Sequence, residues 1–388
     1  MKKIFIPILL ILISVKATAQ ESNRVITTGV PFLLIAADAR SGGMGDIGVA
    51  TSADAFAQQW NPAKYAFAIS KQGVGITYTP YLSNLVNDIF LGNLTYYNRI
   101  NERSAVAASF RYFSLGNIEL RDTFEQEPLI QSPNEFTFDL SYALRLSDRF
   151  SMAVAGRYLR SDLKIQASNE DASAAGSFAV DVAGFYQSEE IGYGDFDGRW
   201  RAGFNISNVG PKIKYDDVGQ ENFLPTNLGV GGGFDFILDQ YNKVGVNVEI
   251  NKLLVPTPPD PDLNGDGDVT DEEQAQAIDD YQNISFFSGI FESFGDAPDG
   301  FSEELKEFTW ALGGEYWYQD VFAFRTGYFN ESDEKGSRKF LSLGAGFRYT
   351  AINIDISYLF STSKVRSPLE GTLRFGLTFN FGDEYDEY

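Results

Sequence analysis

Residues 372–381 read Thr372-Leu373-Arg374-Phe375-Gly376-Leu377-Thr378-Phe379-Asn380-Phe381, an unbroken alternation. Leu373, Phe375, Leu377, Phe379 and Phe381 fall on one side, and Thr372, Arg374, Gly376, Thr378 and Asn380 on the other. Successive side chains of an extended chain point to opposite faces, so this stretch is a strand with one apolar and one polar face. Segment 352–360 repeats the pattern, with Ile352, Ile354, Ile356, Tyr358 and Phe360 opposed to Asn353, Asp355 and Ser357. In 244–251, Val244, Val246, Val248 and Ile250 oppose Gly245, Asn247, Glu249 and Asn251. In 136–146, Phe136, Phe138, Leu140, Tyr142, Leu144 and Leu146 oppose Thr137, Asp139, Ser141 and Arg145.

Working outward from these four segments, the same reading yields fourteen strands: 72–81, 88–98, 103–115, 134–147, 149–161, 176–187, 199–208, 225–238, 241–252, 307–319, 321–331, 337–349, 351–361 and 369–382. Most have about ten residues or more, whereas strands of soluble sheets usually have about five or six. A tilted strand crossing a bilayer needs roughly 9–11. Connections after even strands are short, 188–198 excepted, and those after odd strands are often long, up to 253–306. Short turns at one end and long loops at the other are expected of an outer-membrane barrel. A secreted soluble sandwich would explain the alternation but not this ordering. The predicted fold is all-β: a 14-stranded antiparallel transmembrane β-barrel over residues 72–382, followed by an acidic tail at 383–388.

The solvent then assigns the faces. A charge on the lipid side costs about 2–4 kcal/mol at mid-depth, so Arg374, Asp355, Glu249, Asp139 and Arg145 are expected in the lumen, more as structural pairs than as a substrate path. Trp310, Tyr316, Tyr318, Tyr349 and Tyr358 sit near strand ends, where aromatic girdles form.

Composition narrows the chemistry. The 388 residues include 53 acids and 31 bases, a formal net charge of −22. Phosphate backbones repel such a chain, which argues against nucleic-acid binding. Cysteine and histidine are both absent, which removes thiolate and imidazole catalysis and leaves oxygen donors for any metal site. No local Ser–Lys or paired-carboxylate motif points to an enzyme. At the N-terminus, Lys2 and Lys3 precede an apolar run from Ile4 to Ile13, and Ala17-Thr18-Ala19 forms a small-residue cleavage site. Residues 1–19 therefore read as a cleavable signal peptide. No later stretch has 18 consecutive apolar residues, so the exported chain can enter a membrane only as a closed sheet.

Residues 20–71 do not alternate. They carry Val30-Pro31-Phe32-Leu33-Leu34-Ile35, the glycine-rich Ser41-Gly42-Gly43-Met44-Gly45-Asp46-Ile47-Gly48, and Trp60-Asn61-Pro62-Ala63-Lys64-Tyr65. A short helix is expected over 52–59, capped by Ser52. The glycine run lacks a preceding strand and the Lys-Ser/Thr ending of a phosphate loop. Its glycines suit tight turns and close packing. In this order, residues 30–67 resemble the amino-terminal signature of the PorV and PorQ group, outer-membrane barrels of the type IX secretion system of Bacteroidetes. The Asn61-Pro62-Ala63 triplet is similar to a motif of the wider FadL-like family of fourteen-stranded barrels. The resemblance implies that residues 20–71 fold into the barrel as a hatch or plug. It also implies a function: receiving secreted cargo with C-terminal signal domains at the large outer-membrane translocon barrel and delivering it to the surface attachment complex that contains a PorU-like sortase. A FadL-like channel for hydrophobic small molecules shares the fold and is the alternative.

Within the longest loop, residues 262–273 read DLNGDGDVTDEE. An EF-hand loop needs oxygen donors at positions 1, 3, 5, 7, 9 and 12, with glycine at 6. Asp262, Asn264, Asp266, the carbonyl of Asp268, Thr270 and Glu273 fill the donor positions, and Gly267 the bend. Val269 is expected to tie the loop to its neighbours, and a helix to follow over 272–282. Pro256, Pro258, Pro259 and Pro261 argue against an entering helix. Structural calcium is the expected ligand.

Overall fold

The computed structural model describes residues 24–83, 85–121, 127–163, 174–215, 220–363 and 367–385. The signal-peptide segment 1–19 lies outside the described residues. Fourteen strands close into one antiparallel barrel: β1 (Ser70–Pro80), β2 (Ile89–Arg99), β3 (Ser104–Leu115), β4 (Asn134–Ser147), β5 (Phe150–Asp162), β6 (Ala175–Gln187), β7 (Asp197–Val209), β8 (Asn227–Ile237), β9 (Asn242–Leu253), β10 (Phe308–Tyr318), β11 (Phe322–Asn330), β12 (Lys339–Tyr349), β13 (Ile352–Ser361) and β14 (Leu373–Glu384). Each strand pairs with its sequence neighbours, and β14 returns to β1 through pairs such as Phe379 with Val74 and Leu377 with Ile76. Closure leaves no unpaired edge for the bilayer to meet.

The faces are as the alternation requires. Leu140, Val248, Leu312, Phe324, Ile354 and Phe375 are exposed outward. Asp139, Arg145, Glu249, Asp355 and Arg374 are buried in the lumen. Turns after even strands are short (100–103, 238–241, 319–321, 350–351), apart from 188–196, where Ile191–Gly192 adds a two-residue ladder to β7. Loops after odd strands include 116–133, 210–226 and 254–307. By the membrane rule, the long loops mark the outer face and the short turns the periplasmic face. Trp310 and Tyr358 lie towards the outer ends of their strands, and Tyr316, Tyr318 and Tyr349 towards the periplasmic ends.

Two limits differ from the sequence reading. The barrel begins at Ser70 and runs through Glu384, because Ser70 pairs with Glu384 and Tyr385 N–H donates to the Ile69 carbonyl. The stretch expected as a tail from 383 therefore starts inside the ladder, with Asp383 paired to Lys71 at 3.3 Å. Residues 386–388 lie outside the described residues.

Residues 24–69 fill the bore. Val30, Phe32 and Leu33 pack against Leu91, Phe113, Leu159, Ile213 and Leu224 near the outer end. Tyr65, Ala66 and Phe67 pack against Ala105, Ala143, Ala153 and Phe185 near the periplasmic end. The chain thus descends through its own barrel before turning into β1. Its helical pieces are short: α1 (Ala39–Gly42), α2 (Ala57–Trp60), and 3-10 turns at Pro31–Leu34 and Pro62–Phe67. The expected helix over 52–59 is not formed. Ser52 instead spends its hydroxyl on Arg40, and helix begins only at Ala57. Contacts with the wall outweigh the local capping signal here. A Cβ at Gly327 on β11 would overlap the Met44 backbone, and one at Gly203 on β7 would lie 2.8 Å from Asn61 Nδ2. Those two glycines let the hatch backbone approach the wall.

Candidate functional site

The lumen is organised by arginine–carboxylate pairs. Arg40 of the hatch grips Glu315 of β10 with two bonds, Nε to Oε1 at 3.0 Å and Nη2 to Oε2 at 2.8 Å. It also reaches Asp54 at 2.7 Å and the Ser52 hydroxyl at 2.7 Å. Arg325 donates to the same Oε1 of Glu315 at 2.7 Å and to Asp355 at 2.7 Å. Arg374 binds Asp46 at 2.7 Å. Glu249 accepts from the Gly48 and Val49 amides at 2.9 and 2.8 Å. On the opposite wall, Arg157 joins Asp139, Asp181 and Asn208. Bidentate arginine–carboxylate geometry fixes position as well as charge. Arg40–Glu315, Arg374–Asp46 and the Glu249 contacts therefore lock hatch to wall, and the Arg157 cluster and Arg325–Asp355 join wall strands to one another, the structural pairing expected of lumen charges.

The Asn61-Pro62-Ala63 triplet is part of the same lock. Asn61 Oδ1 accepts from the Ala63 amide at 3.0 Å, capping the 3-10 turn, and Pro62 starts that turn. Asn61 Nδ2 donates to the Val49 carbonyl at 2.9 Å and to the Gly184 carbonyl of β6 at 3.0 Å. The Ala63 carbonyl accepts from the Ser151 hydroxyl of β5 at 2.8 Å. One side chain thus ties two hatch segments to the wall.

At the periplasmic end a cavity of about 300 Å³ remains, lined among others by Arg40, Asp54, Arg201, Glu315, Arg325 and Asp355. Its wall mixes these ionic groups with Phe56, Phe67, Ile69, Ile237 and Trp317, a more charged lining than is usual in small-molecule pockets.

The outer face carries the large loop 254–307. After the proline stretch come α3 (Asp271–Asn283), α4 (Phe286–Glu292) and α5 (Phe301–Glu304). No helix enters the 262–273 loop, and α3 leaves it, capped by Thr270. Asp262 Oδ1 accepts from the Gly265 amide at 2.8 Å and Oδ2 from Gly267 at 2.9 Å. Asn264 and Asp266 accept from the Asp266 and Asp268 amides, each at 2.8 Å. Gly265 and Gly267 take the positive φ values of 75° and 88° that the bends demand. Glu273 uses Oε2 to close a capping box with Thr270, which leaves Oε1 for another partner. The donors are all oxygens carried on a folded loop, so their chemistry fits a hard cation such as calcium. Val269 does not tie the loop down: it is 51 % exposed, and among the described residues no second EF-hand loop pairs with it.

Among the described residues, the three carboxylates whose oxygens gather within 4.8 Å of one another are Asp296, Glu304 and Glu307, outside that motif. They belong to a charge network that sequence reading missed. Lys252 pairs with Glu304 and Glu307 at 2.7 Å each. Lys335 pairs with Glu303 at 2.7 Å and Glu307 at 3.0 Å. Arg24, from the start of the hatch, joins Glu303 at 3.1 Å, Asp299 at 2.5 Å and Asp260 at 3.2 Å. The chain's first described residue therefore sits at the outer rim and pins the loop. Burial raises the Glu303 carboxyl, but hydrogen bonds from Arg24 and Lys335 outweigh that and hold it down at about 2. Burial, with Glu307 and Glu304 nearby, pushes Asp296 up to about 6. The signal that could have led to Lys252 is its parity: it is the one base on the apolar face of 244–252.

Among curated proteins no match is found. Solved structures similar to this chain include a Pseudomonas aeruginosa FadL homologue, at 12 % identity over 90 % of this chain and 99 % of that one, TM-score 0.46. The Ralstonia pickettii toluene transporter TbuX matches at 12 % identity over 90 % and 100 %, TM-score 0.48. The Pseudomonas putida toluene transporter TodX matches at 10 % identity over 88 % and 95 %, TM-score 0.47. The sequence profile of one family, described as Type IX secretion system protein PorV, matches residues 18–260, a span that takes in the whole hatch and nine of the fourteen strands. With the hatch signature folded as a plug inside a closed outer-membrane barrel, the chain belongs to the PorV family of the type IX secretion system.

Proposed function

We propose that this protein receives type IX cargo at the outer-membrane translocon and hands it to the cell-surface attachment complex containing a PorU-like sortase, by binding and without bond chemistry. The observation that carries this reading is the filled bore. Among the described residues, a hatch bolted to the wall by buried ion pairs occupies the bore, so the loops and outer wall are the surfaces free to engage a partner. The cargo would present its C-terminal signal domain to the outer loops, 254–307 foremost. The lipid-facing wall would meet the large translocon barrel.

Calcium at Asp262, Asn264, Asp266, the Asp268 carbonyl, Thr270 and Glu273 would be structural in this scheme. It would neutralise clustered carboxylates and hold the loop's shape. A channel for hydrophobic small molecules is disfavoured by the ionic lining of the cavity beside the hatch. The experiment is affinity isolation of the tagged full-length protein from native membranes, together with deletion of its gene. Co-isolation of a very large barrel and signal-bearing cargo, and periplasmic retention of that cargo on deletion, are expected. Normal surface display of cargo in the deletion strain would overturn the proposal.

A further inference from the structure

Lys252 opens a second reading of the outer loop. Along β9, Val244, Val246, Val248 and Ile250 face lipid, and Lys252 continues the same parity. Its register partner on β10 is Phe308, also on the outward face. An ammonium there would stand against the bilayer, yet Lys252 is 1 % exposed. Glu304 and Glu307 enclose it, and its Nζ lies 5.8 Å from the Phe294 ring centroid and 5.2 Å from that of Phe308. Segment 294–307 thus bridges the rim: Glu304, Glu307 and Phe294 reach the outward side of the wall at Lys252, while Glu303 stays bonded to Arg24 of the hatch.

The largest exposed side chains of that segment are apolar, with Asp299 and Ser302 exposed between them. Glu304 and Glu307 turn in towards Lys252, whereas Phe301 is 76 % exposed, Leu305 55 % and Phe294 about half. The stripe continues along α4, where Phe287 and Phe291 contact edge-to-face at 5.4 Å. Gly289, on the opposite face of α4, is the side that packs on Pro256 and Phe223. Height also agrees. The ten residue steps from Tyr318 up to Phe308 cover about 33 Å of strand, or about 25 Å along the membrane normal at the usual tilt, the full height of an apolar band. Segment 294–307 therefore begins where the outer leaflet meets its headgroups.

We propose that the aromatic face formed by Phe287, Phe291, Phe294, Phe301 and Leu305 is seated in the outer leaflet, its occupant the lipid acyl chains, so that the loop is a membrane-anchored flange. It is continuous with the lipid-facing belt through Phe308 and Trp310. The acidic knot around Lys252 lies beneath it, screened from hydrocarbon.

The absence of cysteine makes single-site labelling direct. Ser302→Cys, which leaves every aromatic in place, is labelled with an environment-sensitive fluorophore in the full chain reconstituted in vesicles. Val248→Cys marks the lipid wall and Gln276→Cys, on α3, marks the aqueous loop. Brominated acyl chains should quench the Ser302→Cys label at least half as strongly as the Val248→Cys label, and iodide should quench it several-fold less than the Gln276→Cys label. Quenching of Ser302→Cys by iodide to the extent seen at Gln276→Cys, with none from brominated lipid, would overturn the proposal. It would instead leave the patch as a surface for a protein partner. A parallel Glu292→Cys label at the end of α4 guards against a defect peculiar to position 302, and must follow the same pattern.

Discussion

Replacing Arg40 by methionine tests whether ion pairs hold the hatch. In the native bore Arg40 donates to Glu315 twice, to Asp54 at 2.7 Å, and to the Ser52 carbonyl and hydroxyl at 3.1 and 2.7 Å. Methionine keeps much of the stem volume and removes all five bonds. Glu315 retains Arg325 at 2.7 Å, but Asp54 loses its cation. Breaking a buried pair by removing one partner costs about 3–5 kcal/mol. If that cost falls on the folded hatch alone, local opening becomes about 10²–10⁴-fold more frequent. Hydrogen exchange of the reconstituted protein reads this directly. The Gly42, Gly43, Met44 and Asp46 amides are bonded within the hatch, and those of Gly48 and Val49 to Glu249. Those amides should exchange faster by that factor while the β4–β5 ladder amides do not change. Adding Asp54→Asn, which removes the stranded charge, should recover part of the protection. Exchange of the Gly42–Val49 amides within threefold of the parent in Arg40→Met would refute the idea that this cluster secures the plug.

Three further outcomes are expected. Chelation of divalent cations should increase protease cleavage within 254–307 and leave the heat-resistant migration of the barrel unchanged; equal cleavage with calcium and with chelator would remove the 262–273 site. The outer loop should also depend on pH in two directions. Glu303, held at about 2, contributes stability that is complete above the ordinary carboxyl value and is lost as pH falls towards 2. Asp296, raised to about 6, costs stability when ionised and ceases to as pH falls from 7 through 6. Exchange protection of the 294–305 amides, corrected for intrinsic rate, should therefore peak near about pH 5; a monotonic fall from pH 7 downwards would contradict the Asp296 assignment. Leu312→Arg, on the outward face of β10, should lower the free energy of insertion by about 2–4 kcal/mol in urea titrations with vesicles, whereas no loss beyond 0.5 kcal/mol would mean that Leu312 does not face hydrocarbon.

The barrel was legible because its solvent imposes a repeating, one-dimensional code. Each outward residue meets lipid whichever strand carries it, so Leu373, Phe375 and Leu377 announce a spanning strand without reference to any partner. Loop order added the orientation, for turns such as 350–351 and loops such as 254–307 can be compared without knowing a single contact. The Asn61-Pro62-Ala63 triplet was visible as a motif, and its asparagine acts through bonds within three residues as well as across the bore. Local capping logic failed at Ser52, and Val269 failed as an anchor, because in each case the deciding neighbour lay elsewhere in the molecule or was missing among the described residues.

The sequence by itself determined a closed, outward-apolar cylinder with a non-alternating segment ahead of it. Only the tertiary structure decided that this segment enters at the outer rim with Arg24 and descends to Ile69, that Arg40 meets Glu315 across 275 positions of chain, and that Lys252 is enclosed on the lipid side. The physical reason is the same in all three. Alternation records which medium a residue faces, whereas ion pairing depends on closure, stagger and the fold of a plug, which bring together charges that the chain order keeps apart.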